Sequence, residues 1–179
     1  LESFVYIPFN DEQEMEKQMD NDTAAIILEI IQGEGGIHVA TNSFLQKVQE
    51  TAKKVGALII IDEIQTGVGR TGKPFAYQHF DLKPDIVTVA KGLGNGLPIG
   101  AMIGQSNLID YFHAGSHGST FGGNPISVAA ANAVLDICFE ESFLQKIIEK
   151  GALFKQMLVE EISSKPLVKE FEGIRSKET

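Results

Sequence analysis

The sequence predicts an α/β protein with a mostly parallel sheet and helices on both faces. Three apolar runs, at 24–31, 57–61 and 85–90, are continuous enough in Ala, Ile, Leu and Val to read as buried strands. Between the first two, Phe44, Leu45, Val48, Ala52 and Val55 recur at helical spacing, so the segment reads as strand, helix, strand. Short connections and the right-handed crossover rule then favour parallel pairing.

Along the chain, residues 4–7 are a short strand candidate, and Asn10 with Gln13 three residues later makes a capping box for a polar helix through Met19. The run at 24–31 follows, with Glu29 near its end. Gly33, Gly35 and Gly36 break it, and the helix that starts at Asn42 closes at Gly56, a C-cap by type and position. The strand at 57–61 leads into the glycine-rich segment 67–72, the strand at 85–90 leads into another, and residues 101–103 read as a fourth strand. Pro125, placed after Asn124, opens an alanine-rich helix. Ser142 with Gln145 caps a second one, whose Phe143, Leu144, Ile147, Ile148, Phe154, Met157 and Leu158 form an apolar face. Two successive helices without a strand between them mark a departure from the sheet. The division expected is a sheet domain over 1–141 and the start of a smaller domain over 142–179. The final Ser176, Lys177, Glu178 and Thr179 are polar and expected to fray.

Composition narrows the functional classes. A chain of 179 residues, 43% hydrophobic and 22% charged, is ordinary for a globular domain with one sizeable core. Its net charge of -9, its pI near 4.9 and the lack of a Lys/Arg cluster argue against a nucleic-acid partner. Cys138 is the single cysteine; it permits no internal disulfide and reads as a small core residue in an apolar helix, which fits a reducing, cytoplasmic setting. No apolar run reaches the roughly 18–20 residues of a membrane span, and no basic-then-apolar leader precedes the first strand, so no membrane partner is expected. The chain begins at Leu1 rather than Met, as a processed chain or a fragment would.

The stretch LIIIDEIQTGVGRTGK, residues 58–73, fits three site patterns. Gly67 to Lys73 has the spacing of a phosphate loop, but Pro74 stands where a Ser or Thr hydroxyl must hold magnesium. Gly67, Gly69 and Gly72 spell GxGxxG, yet residues 63–66 separate the first glycine from the strand, and Asp81 and Asp85 come too early for the ribose-binding acid. The glycines then read as turn residues, with Arg70 anchoring the loop. What remains is Asp62 directly after one strand and Lys91 directly after another. Both fall at the carboxyl edge of one sheet, where open α/β sheets bind ligands.

Each residue alone has an ordinary reading, since a strand-terminal Asp usually caps a turn and a strand-terminal Lys is usually solvated. Together they suggest more. Lys91 lies between an apolar strand and close-packed glycines that would strip water from its ammonium and free the amine to attack an aldehyde, which is Schiff-base chemistry. A pyridoxal ring bound by such a lysine needs an acid beside its nitrogen, because a protonated ring is the better electron sink, and Asp62 can be that acid. His38, His79, His113 and His117 show no ligand spacing, and no metal is expected.

Four blocks carry a resemblance: IIQGEGGI at 30–37, IIIDEIQTGVGRTG at 59–72, TVAKGLGNGLPIGA at 88–101 and HGSTFGGNP at 117–125. In this order they resemble the class III pyridoxal-phosphate aminotransferases, which act on ω-amino groups, over about residues 4–175. The resemblance implies that family's fold type I large domain, incomplete, followed by the first helix of its small C-terminal domain. It implies pyridoxal 5'-phosphate as cofactor and the terminal amine of acetylornithine as donor to 2-oxoglutarate. Ornithine or another ω-amino acid is the alternative donor; a fragment that keeps the fold without turnover is the alternative of a different class.

By the same resemblance, Lys91 is the catalytic lysine, first nucleophile toward the cofactor and then proton shuttle. Asp62 is implied at the pyridine nitrogen, Gln65 at the ring phenolate oxygen and Ile64 against one ring face. Thr120, with Ser119 as a weaker companion, is implied at the cofactor phosphate of a neighbouring subunit, hence a homodimer. Glu34 is implied at the substrate, paired with an arginine that the family places beyond Thr179, and Glu63 is expected in structural contacts beneath the site. Ile30 stands where the family has proline, and residues 176–179 depart from its glycine-rich continuation. The family's phosphate-binding glycine loop and stacking aromatic fall ahead of Leu1, so the central part of a larger aminotransferase is expected.

Overall fold

The computed structural model describes residues 3–165 together with Val168. Helix α1 (Glu12–Gln18) precedes β1 (Ala25–Glu29), the two-residue strands β2 (Ile31–Gln32) and β3 (His38–Val39), and helix α2 (Asn42–Val55). Then come β4 (Leu58–Asp62), β5 (Ile86–Val89), β6 (Ala101–Gly104) and helices α3 (Pro125–Cys138) and α4 (Glu141–Ile162). The main sheet has the order β1-β4-β5-β6. β1 pairs in parallel with β4 from Ala25 opposite Leu58 to Glu29 opposite Asp62, β4 pairs in parallel with β5, and β6 runs antiparallel to β5. The α/β class, the mostly parallel sheet and the crossover through α2 are as the sequence predicts; helices on both faces are not, since among the described residues α1, α2 and α3 all pack on one face.

Parallel partners in register point to the same side of a sheet, so Ile26, Leu28, Ile59, Ile61, Val87 and Val89 share one face. Met15 of α1 and Phe44, Leu45, Val48 and Ala52 of α2 pack over the β1–β4 part of it. Ala131 of α3, with Val68 and Leu93, packs over Val87 and Val89. The alternate residues, among them Ile27, Ile60, Glu29 and Asp62, face the other way, and Ile27 is 56% exposed. This face matters because it carries the carboxylates of the candidate site.

Local details depart from expectation for nameable reasons. Residues 4–7 form no strand; among the described residues nothing lies alongside to complete a ladder, and Phe4, Val5 and Tyr6 are exposed. The cap of α1 is Asp11, whose Oδ1 accepts from Glu14 N at 2.9 Å. Asn10, at φ 64°, instead donates to Val39 O at 3.1 Å and accepts from Thr41 N at 2.9 Å, tying α1 to the start of α2. The run at 24–31 is not one buried strand. It ends at Glu29 as the outer strand among the described residues, and Ile31 turns to pair antiparallel with Val39 around the glycines at 33–36.

Two other caps follow the sequence. Gly56 closes α2 at φ 80°, and Asn124 caps α3 by accepting from Ser127 N at 3.0 Å. The cap of α4 does not: its N-cap is Glu140, with no side-chain bond, while Gln145 donates to Glu149. On α4, Phe143, Leu144 and Ile147 are half-buried, whereas Phe154 and Met157 are exposed. Cys138 is half-buried beside the second cluster. Ser176 to Thr179 lie outside the described residues. No described helix is long and apolar enough to cross a membrane.

Candidate active site

β4 and β5 end side by side, with Asp62 opposite Thr88 and Glu63 N donating to Thr88 O at 2.9 Å. Beyond that point the chain turns sharply. Asp62 Oδ1 accepts from Ile64 N at 2.9 Å, and Gly67 N donates to Glu63 O at 2.9 Å, so residues 63–67 form one tight turn that presents Ile64 and Gln65. Asp62 is half-buried, and among the described residues its second carboxylate oxygen has no hydrogen-bond partner. Gln65 Nε2 donates to Glu34 Oε1 at 3.3 Å, which brings the loop between β2 and β3 over the end of β4. Gly33 permits this approach, because a Cβ there would overlap the Gln65 amide.

Glu29 reports how the charges are grouped. It stands in register with Asp62 on the same sheet face. Burial pushes its carboxyl pKa up, the Asp62 and Glu34 charges push the same way, and the Gly33 N–H and the Lys91 ammonium oppose them. Glu29 and Asp62 are neighbours by register, Glu34 is tied to the same sheet end through Gln65, and Lys91 follows β5 beside them. Sequence reading passed over Glu29 as the tail of an apolar run; the available signal was an acid at the end of a strand paired with the strand that ends in Asp62.

Lys91 follows β5 at φ 41° and opens a short 3-10 turn through Leu93, closed by Leu93 N donating to Ala90 O at 2.9 Å. Its side chain is exposed, as is that of Glu34. The expected drying of this amine is thus not met within the described residues. The nearby Gly94 packs tightly, but neither it nor Gly92 brings a side chain to cover it. Gly94 sets the course of the chain beyond Lys91, since a Cβ on it would overlap Leu97 O and crowd Ile99. Gly94→Ala is expected to cost about 1–3 kcal/mol, the usual range for overpacking. Denaturant unfolding checks it, and an unchanged midpoint would show that the turn yields freely.

The glycine-rich loop is a turn, as its residues predict. The N–H groups of Gly67, Gly69, Arg70 and Gly72 are bonded to Glu63 O, Pro74 O, Gly67 O and Gly69 O, so none is turned outward to wrap a phosphate. Arg70 is exposed, and the anchor expected of it is supplied by Glu63 from below. His79 Nε2 lies 3.0 Å from Thr71 O, and burial lowers its pKa, with the nearby Lys73 adding to the effect. Ser119 and Thr120 sit in the exposed turn before α3 and make no hydrogen bond to Asp62, Gln65 or Lys91 among the described residues. No three described His, Cys, Asp or Glu side chains gather as a metal site would require. A cleft of about 500 Å³ lined by Gln49, Lys53, Leu58, Asp81 and Asp85 opens at the opposite edge of the sheet.

Comparison with known proteins bears on the family and the fold. The profile of the Aminotransferase class-III family matches residues 8–177. The acetylornithine aminotransferase of Halalkalibacterium halodurans is 53% identical over 97% of the chain, and the chain spans 45% of that relative's length. Among solved structures, an ornithine aminotransferase from Toxoplasma gondii with partial occupancy of PLP at its active site superposes with a TM-score of 0.89 at 38% identity, over 95% of this chain and 41% of that one. An acetylornithine aminotransferase from Elizabethkingia anophelis gives a TM-score of 0.86 at 38% identity, over 93% and 43%.

Proposed function

The chain belongs to the class-III aminotransferase family, and we propose that it forms the cofactor-holding edge of an enzyme that moves the terminal amino group of acetylornithine to 2-oxoglutarate. The observation that carries this is the placement of Glu29 and Asp62 in register at the ends of β1 and β4, with Gln65 bonded to Glu34 above them and Lys91 following the neighbouring β5. Pyridoxal 5'-phosphate fits the donor set. Asp62 has a carboxylate oxygen to spare for a ring nitrogen, Gln65 an amide for a phenolate oxygen, and Lys91 an uncovered amine for an aldehyde.

When bound, pyridoxal phosphate supplies an aldehyde carbon that takes up amines and a ring that accepts the electrons released at the substrate carbon. Asp62 would set its negative charge at the ring nitrogen and favour the protonated ring. Gln65 would orient the ring through its oxygen, and Ile64 would cover one face and keep water from it. Lys91 Nζ would hold the cofactor through its aldehyde and, as a free amine, would move a proton at the substrate carbon. Glu34, held by Gln65, faces the substrate.

Ser119 and Thr120 lie exposed in a glycine-rich turn, which suits donors that reach the phosphate of a second subunit, and the reading extends to a cytoplasmic homodimer. It assigns residues 1–141 to the cofactor domain and 142–179 to the start of a smaller one. The name of the Halalkalibacterium halodurans relative favours acetylornithine as donor, while the Toxoplasma gondii structure keeps ornithine as the second reading. In the full-length protein, turnover with 2-oxoglutarate is expected to be faster with acetylornithine than with ornithine at equal concentration. The reverse order would establish the second reading. A chain that gives no yellow, borohydride-trappable adduct with pyridoxal phosphate would sink both.

A further inference from the structure

We propose that Glu63 is a positioning residue for the cofactor-holding edge, its buried carboxylate clamping the turn that presents Ile64 and Gln65 to the distant segment at Ala76 and Tyr77. The inference rests on the role given above to Asp62, Ile64 and Gln65. Consecutive residues at a strand end point to opposite sides. Asp62 accordingly lies half-exposed toward the candidate site, and Glu63 points the other way with 0% exposure.

A carboxylate in that position needs donors, because burial disfavours its charge. It has three. Glu63 Oε2 accepts from Thr66 Oγ1 at 2.5 Å and from Ala76 N at 3.0 Å, and Oε1 accepts from Tyr77 N at 2.8 Å. Burial pushes the carboxyl pKa up, and these three bonds pull against it. Thr66 belongs to the turn closed by Gly67 N on Glu63 O, whereas Ala76 and Tyr77 lie in the 3-10 turn ten residues further on. One side chain therefore joins both ends of the loop. The far end is itself fixed: Phe75 stacks on Tyr77 at 5.9 Å and meets Phe139 edge-on at 5.8 Å, at the end of α3. Through Glu63 the Ile64–Gln65 turn is referenced to α3, not only to β4.

Glutamine cannot replace this clamp. Whichever way its amide is turned, its NH₂ group faces a backbone N–H, either Ala76 or Tyr77, where the carboxylate offered an acceptor. In Glu63→Gln, hydrogen exchange at Gly67, Ala76 and Tyr77 is expected to rise about tenfold, the factor that loss of one ordinary hydrogen bond gives. Exchange at Ile59, Ile60 and Ile61 should stay unchanged. With pyridoxal phosphate bound, the induced circular dichroism of the cofactor should fall several-fold while borohydride labelling at Lys91 persists. A rise confined to Ala76 and Tyr77, or a wild-type dichroism, would overturn the proposal by showing that the clamp does not reach the edge.

If Glu63→Gln also loses protection in β4, Thr66→Val and Thr66→Ser decide. The first should speed Gly67 exchange and weaken the dichroism and the second restore both; a Thr66→Val chain indistinguishable from wild type overturns the clamp. If the wild type gives no Lys91-dependent label, the cofactor reading fails instead, and Gly67 exchange alone then decides whether Glu63 fixes the turn.

Discussion

Lys91→Ala is expected to remove the borohydride-stable pyridoxyl label from the chain and, in the full-length protein, to lower turnover by roughly 10²–10⁴-fold from the loss of the proposed proton shuttle alone. The fold should survive, because the side chain is exposed and its truncation takes nothing from either apolar cluster. Surface changes of this kind usually stay within about 0.5 kcal/mol. Alanine also retains a Cβ, so the φ of 41° at this position is no more strained than before. A glycine variant would relieve that strain as well, and comparison of the two separates backbone from amine. Peptide mapping of the reduced protein is the measurement. Label that persists at the wild-type level, or that resides on Lys73 or Lys83, would remove Lys91 from the chemistry.

Much of the sheet was legible because its signals are local. The apolar runs that became β4 and β5 sit on both sides of residues whose spacing dictates a turn, and the helix between β1 and β4 announced itself by its apolar stripe and by Gly56. The motif blocks around Asp62 and Lys91 were legible for the same reason: each falls at the end of a recognisable strand. What stayed hidden depends on neighbours far along the chain. Asn10 is a cap by residue type, yet its amide is consumed by Val39 and Thr41, about thirty residues away in sequence. The outer place of β1 among the described strands and the β2–β3 hairpin could not be read from apolar content, which tells that a strand has a partner but not on how many sides.

The site shows the same division. Periodicity put Asp62 and Lys91 on one sheet edge, but it could not say that Glu29 joins them, since that follows from the register of β1 against β4. Nor could it foresee an uncovered Lys91. Glycines beside a lysine signal close backbone packing, and close packing beneath a residue differs from cover above it. The chain spans 45% of the length of its Halalkalibacterium halodurans relative, and water exclusion from the amine needs side chains that the described residues do not place over it.

Asp62→Asn is expected to separate attachment of the cofactor from its activation. Asparagine keeps the volume and retains an oxygen to accept from Ile64 N, so the turn that presents Gln65 should persist. Only the charge is lost. Lys91 should still take the borohydride label, whereas turnover should fall by about 10²–10³-fold, the usual scale for removing one charge-stabilising contact at a reacting group.

Stability supplies the control, and its sign follows from Glu29. That carboxyl has a folded pKa above its ordinary 4.5, in part because of Asp62. As pH rises from 4.5, the unfolded chain therefore releases the Glu29 proton first, and stability declines until the folded value is passed. Removing the Asp62 charge shrinks the shift, so the variant should lose less stability than wild type across that window. An Asp62→Asn chain that loses activity and is also destabilised at neutral pH would mean that the carboxylate serves the turn rather than the ring. Loss of turnover with an equal or flatter pH dependence of stability would place its work at the cofactor nitrogen.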